Sequence, residues 1–187
     1  MKNNTPRCSP SIQLKEGTAT LSITTSNQFV KEPSMTTSRL LYKSLGVQLF
    51  RQKTDHTCGP AVLKTFLHHY NLDKGWNEEE LAKVLNTCPF NGTKFEVIYT
   101  FLWSQGINIT QERSDTNINV TDILDQGKII LTEWIDWGGH FVIICGYDDT
   151  QYYLADPEEG YVKVKQDKFH SMWFTKGEQH ANLLYLT

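Results

Sequence analysis

A cysteine at position 58 stands directly before Gly59-Pro60-Ala61, and Gln52 lies six residues upstream of it. Far along the chain, His140 follows Gly138 and Gly139, and Asp156 precedes Pro157 sixteen residues later. Thiol, imidazole, carboxylate and amide are the four groups that acyl transfer through a cysteine requires. A cysteine at a helix N-terminus faces the positive end of the helix dipole and unpaired backbone N–H groups, and both favour thiolate over thiol. The thiolate is the nucleophile that opens covalent catalysis. A histidine at a strand mouth can take the thiol proton and return it to a leaving group. A carboxylate bonded to that ring fixes its tautomer. A side-chain amide together with the backbone N–H of the nucleophile forms an oxyanion hole. Each residue also has a plainer reading. Cys58 would be a small buried apolar residue, His140 a residue bordering the core, Asp156 an Asp-Pro turn starter and Gln52 a solvated glutamine. The combination points to chemistry because each residue falls at the boundary of an expected element.

Those elements follow from periodicity. "VQLFRQ" reads as a short extended segment. In "GPAVLKTFLHHY", Val62, Leu63, Phe66, Leu67 and Tyr70 share one helical stripe, and Pro60 suits the first turn. "NEEELAKVLN" is a second helix, with Asn77 as N-cap and Glu80 as its capping-box partner. "TKFEVIYTFLWSQG" is a third, ending at Gly106, and "VTDILDQG" a fourth, ending at Gly127. The texture then changes to the short β-rich runs "KIILTEW", "HFVIICGY", "QYYLAD" and "YVKVK". "DKFHSMW" returns to helix and "ANLLYLT" closes as a strand. Helices first and strands second define an α+β protein with a mainly antiparallel sheet. A hairpin from "HFVIICGYDD" into "TQYYLAD" returns Asp156 to the side of His140.

The bulk numbers narrow the class. The chain has 187 residues and a net charge of -3, with no basic stripe, so no nucleic acid is expected as a partner. Four cysteines, Cys8, Cys58, Cys88 and Cys145, form no C-x-x-C pair, which fits free thiols rather than a disulfide framework. Cys145 is expected in the core and Cys88 in an inert loop. A metal site of Cys58 with His56 and His68 matches no strong ligand spacing, so neither metal nor organic cofactor is expected. Residues 1–38 are rich in Ser, Thr, Asn and Pro and read as a disordered tail, although "TATLSIT" alternates like a short strand. Residues 39–187 form the folded domain. No run approaches the roughly 18 apolar residues of a membrane span, and the N-terminus lacks a secretory signal. The chain is therefore expected in the cytoplasm, or exported by a route independent of a signal peptide, such as injection into a host cell.

Gln52, "CGPA" at Cys58, "GGHFVIICGYD" at His140 and "ADPEEG" at Asp156 together resemble the double-glycine leader peptidases that process bacteriocins, a branch of the papain-like cysteine peptidases. The likeness covers roughly Gly46 to Thr187. It implies a papain-like fold: a helical half carrying Gln52 and Cys58, packed on an antiparallel sheet carrying His140 and Asp156. Well-known members front an ATP-driven exporter. This chain has neither a membrane span nor a G-x-x-x-x-G-K-[ST] loop and reads as a stand-alone form. The family often places Asp directly before the nucleophile, whereas here it is Thr57, with Asp55 further back. The resulting expectation is a monomeric cysteine peptidase acting on a peptide or protein, with Gly139 and Trp137 lining the substrate cleft and Trp134 beside them. Transglutamination, deamidation or peptide transfer on the same triad is one alternative, and an inactive peptide-binding module is another.

Overall fold

The computed structural model describes residues 42–114, 118–134, 139–173 and 181–187. The tail reading, the strand in "TATLSIT", Cys8 and Trp137 lie outside the described residues.

The first long helix, α1 (Cys58–His69), is buried on almost every side. Val62, Leu63, Phe66 and Leu67 of its stripe are at most 2% exposed. Its one buried internal hydroxyl is satisfied twice, since Thr65 Oγ1 donates to Ala61 O and accepts the Phe50 N–H. Helix α2 (Glu78–Val84) starts with a complete capping box. Glu80 N donates to Asn77 Oδ1 at 3.0 Å, and Asn77 N donates to Glu80 Oε2 at 2.8 Å. Helices α3 (Phe95–Ser104) and α4 (Val120–Asp125) each stop two residues before a left-handed glycine, Gly106 and Gly127. Helix α5 (Gln166–Trp173) buries Phe169 and Trp173.

The sheet is antiparallel at every pairing among the described residues. Its strands are β1 (Tyr42–Ser44), β2 (Ile109–Ser114), β3 (Ile130–Trp134), β4 (His140–Asp148), β5 (Gln151–Asp156), β6 (Gly160–Lys165) and β7 (Ala181–Leu186). The order runs β2-β7-β3-β4-β5-β6, with β1 pairing β4 beyond the end of β3. Strand β4 is thus flanked on both edges. A bulge at Cys145 shifts its register against β5, and at the adjoining Gly146 the Lys43 carbonyl of β1 occupies the space a Cβ would need. Two strands, β1 and β2, arise where the sequence pattern indicates none. Residues 47–52, expected to be extended, join no strand. They run as a strap whose backbone N–H groups bond to side chains and loop carbonyls.

One face of the sheet packs against α1, α2 and α3 through Phe141, Ile143, Cys145 and Ala155. The other face packs against α4 and α5 through Val142, Ile144, Tyr152 and Leu154. This alternation along β4 and β5 is the period-two pattern of strands buried on both sides. The fold is α+β and papain-like, an N-terminal helical half on an antiparallel sheet.

Candidate active site

Cys58 is the first residue of α1, and Thr57 ahead of it makes no side-chain cap to the helix. The thiol is buried, at 7% exposure. Gly59 permits a close approach from the loop before α3, because a Cβ there would stand 2.6 Å from both Thr93 Cβ and Thr93 Oγ1.

His140 opens β4. Its preceding glycine, Gly139, has φ +93° and nothing near the site of a Cβ, so backbone conformation rather than crowding calls for glycine there. The His140 side chain is 17% exposed, and its Nε2 lies 2.9 Å from Asp156 Oδ1. Cys58 is close enough to the ring to help hold its proton. With Nε2 engaged by Asp156, Nδ1 is the nitrogen left for the thiol. Trp134 pairs with His140 across the β3–β4 ladder and stacks on its ring, with centroids 5.8 Å apart at 29°.

Asp156 ends β5 and is 2% exposed. Its Oδ1 accepts three hydrogen bonds, from His140 Nε2, from Glu158 N at 2.8 Å and from Glu159 N at 3.1 Å. The Asp-Pro turn and the carboxylate–imidazole pair are one structure, because the two turn N–H groups aim at the oxygen that binds the ring. Burial pushes the His140 pKa down. The hydrogen bonds and charges of Asp156 and Cys58 overcome that and raise it to about 10. Burial likewise pushes the Asp156 carboxyl up, and His140 with the Glu158 and Glu159 N–H groups pulls it below its ordinary value. The pair therefore stands as imidazolium and carboxylate at neutral pH.

Gln52 lies on the strap beside this turn, its N–H donating to Pro157 O at 3.0 Å. Its Oε1 is buried with no hydrogen-bond partner among the described residues. A cavity of about 400 Å³ opens at His140, lined also by Asp55, Trp134, Gly139, Asp156, Glu158, Glu159 and Met172. The structure therefore brings Cys58, His140 and Asp156 together, with Gly139 at the cavity wall and Gln52 tied to the Asp156 turn. Cys145 is buried in the sheet, and Cys88 lies in a tight loop closed by its pairing with Gly92. No group of three or more metal-binding side chains occurs among the described residues, and no described helix is long and apolar enough to cross a membrane. Two contributors escape the sequence pattern. The stack of Trp134 on His140 follows only from strand register, and Glu78, which accepts the Lys53 N–H at 2.8 Å, looks like one of three surface glutamates.

A buried cysteine at a helix start thus stands near a histidine paired with a carboxylate, on a helical half backed by an antiparallel sheet, as in the papain-like fold. Residues 46–176 match the peptidase C39 family, and the chain belongs to it. It is 28% identical over 125 residues to an uncharacterized protein of Methanothermobacter marburgensis, spanning 67% of this chain and 82% of that one. A second uncharacterized protein, from Methanothermobacter thermautotrophicus, is 29% identical over 127 residues, spanning 67% and 83%. Among solved structures, the peptidase domain of Streptococcus ComA, a bifunctional ABC transporter of a quorum-sensing pathway, superposes with a TM-score of 0.60 at 19% identity, covering 74% of this chain and 97% of that one. A double glycine motif protease from a PCAT transporter, solved with its leader peptide, gives 0.58 at 19%, covering 78% and 95%. A C39-like peptidase from Bacillus anthracis gives 0.59 at 16%, covering 78% and 98%. At these identities the structural likeness is one of fold.

Proposed function

We propose that this chain hydrolyses a peptide or amide bond through an acyl-enzyme on Cys58. The observation that carries the reading is the His140 ring, bonded to Asp156 through Nε2, with Cys58 at the start of α1 near enough to help hold its proton. The Cys58 sulfur attacks the carbonyl carbon while its proton already rests on Nδ1 of the His140 imidazolium. The oxygen of the tetrahedral intermediate is held by the Cys58 backbone N–H and the Gln52 side-chain amide. Collapse expels the amine, which takes the proton from His140, and leaves a thioester. Water then attacks the thioester, giving its proton to the now neutral His140, and collapse expels the Cys58 sulfur, which restores the starting imidazolium. Asp156 stays ionised throughout and keeps Nε2 protonated, so that Nδ1 faces the thiol. The peptide lies in the cavity between Gly139 and Asp55, against Trp134. Neither metal nor organic cofactor takes part.

Mass spectrometry of a peptide library incubated with the wild type and with Cys58→Ala tests this. Fragments that appear only with the wild type, with water added across one amide, are expected. Joined peptides would instead mean transfer, a one-dalton gain at glutamine would mean deamidation, and no change would refute an enzyme.

A further inference from the structure

Gln52 sits on a strap with no strand ladder to hold it, yet an oxyanion donor must be fixed to a fraction of an ångström. The backbone bonds on either side of its Cα are therefore informative. On one side Gln52 N donates to Pro157 O. On the other, Lys53 N donates to Glu78 Oε1 at 2.8 Å. Glu78 belongs to α2, whose N-terminal cap is already complete without it, through Asn77 and Glu80. It also occupies the wrong face for a surface acid. Residues 78, 81 and 85 follow the i, i+3, i+7 spacing of an inward stripe, and Leu81 and Leu85 are 0% and 1% exposed. Glu78 on that stripe is itself only 7% exposed. A carboxylate in an apolar position is unfavourable unless it makes a bond that an apolar side chain cannot. Here that bond is to the residue next to Gln52.

We propose that Glu78 is a positioning residue for the oxyanion donor: by holding the Lys53 N–H, it fixes the strap so that the Gln52 amide meets the developing oxyanion. The inference rests on the role given to Gln52 above. Glu78 touches neither substrate nor the reacting atoms and acts through Gln52 alone.

The test uses carbobenzoxyglycine p-nitrophenyl ester as probe, with the rate of Cys58→Ala subtracted. Gln52→Ala is expected to lower kcat about 100- to 1000-fold, the usual loss of one oxyanion donor. Glu78→Leu suits the apolar stripe but removes the acceptor, and should lower kcat about 10- to 100-fold with KM within about twofold, since an ångström of misplacement costs on that order. Glu78→Gln keeps a carbonyl oxygen at the same reach and should restore most of kcat. In a Gln52→Ala background, Glu78→Leu should cost nothing more. If Glu78→Leu does not fold, Glu78→Asp, one methylene shorter, should give a several-fold loss of kcat that likewise vanishes beside Gln52→Ala. An undiminished loss in the Gln52→Ala background, or a loss in KM alone, overturns the role of Glu78 and leaves that of Gln52 standing. An unchanged kcat in Gln52→Ala itself overturns both.

Discussion

Replacing Asp156 by Asn removes one negative charge and preserves the shape around it. Asp156 Oδ1 accepts from His140, Glu158 and Glu159, and an Asn carbonyl can still take the two backbone N–H groups of the turn, so the variant should fold. What it loses is attraction for the imidazolium. At an effective dielectric of about 20, opposite charges about 4 Å apart attract by roughly 4 kcal/mol, equivalent to about three pH units. His140, held at about 10 in the wild type, should then titrate at roughly 7 in Asp156→Asn. Proton–nitrogen NMR of the six histidine rings, with His140 assigned by substitution, reads this directly. Stability gives a second reading. Below pH 6.5, the ordinary value of a free histidine, folded and unfolded chains both hold the proton, and the full stabilisation is present. From there to about 10 only the folded chain holds it, so stability falls as pH rises through that window. The decline should shrink markedly in Asp156→Asn. Wild-type His140 titrating near 6.5, or a variant still titrating near 10, would refute the assigned electrostatics.

Iodoacetamide at mildly acidic pH should alkylate Cys58 before Cys88 or Cys145, because only Cys58 pairs a helix start with a histidine, and peptide mapping that found Cys88 first would contradict this. Gly59→Ala should destabilise the fold by about 1–2 kcal/mol, the cost of overpacking less a small gain in helix propensity. Thr93 cannot swing clear of the new methyl without breaking its 2.7 Å hydroxyl contact with Thr87. An unshifted urea midpoint would count against that account.

What was legible in the sequence was local. Asn77 with Glu80 marks the start of α2, Gly106 and Gly127 mark helix ends, and the turn residues between "HFVIICGYDD" and "TQYYLAD" return Asp156 to the side of His140. What was not legible depends on distant partners. β1 is three residues long and exists because β4 offers a free edge beyond β3. β2 contains "QERS", a polar string whose strand character comes from pairing with β7. Glu78 stands among three glutamates, and only its spacing from Leu81 and Leu85 hints that it points inward. The stack of Trp134 on His140 required a register, Trp134 opposite His140, that no local pattern specifies.

The placement of the site follows from how the two halves dock. Cys58 is the first residue of α1 and His140 the first of β4, and α1 packs on the face of β4 that presents Phe141, Ile143 and Cys145. Both elements therefore begin at the site and run away from it, each immobilised along its length by buried side chains. β5, antiparallel to β4, ends where β4 begins and delivers Asp156 there. Three rigid elements thus meet at their ends, which is how side chains far apart in sequence are held at hydrogen-bond distance. Gln52 alone comes from a segment without a ladder. Its bonds to Pro157 and, through Lys53, to Glu78 tie that segment to the Asp156 turn and to the helical half. Gln52, in its proposed role as oxyanion donor, is accordingly the part of the site most sensitive to changes outside it.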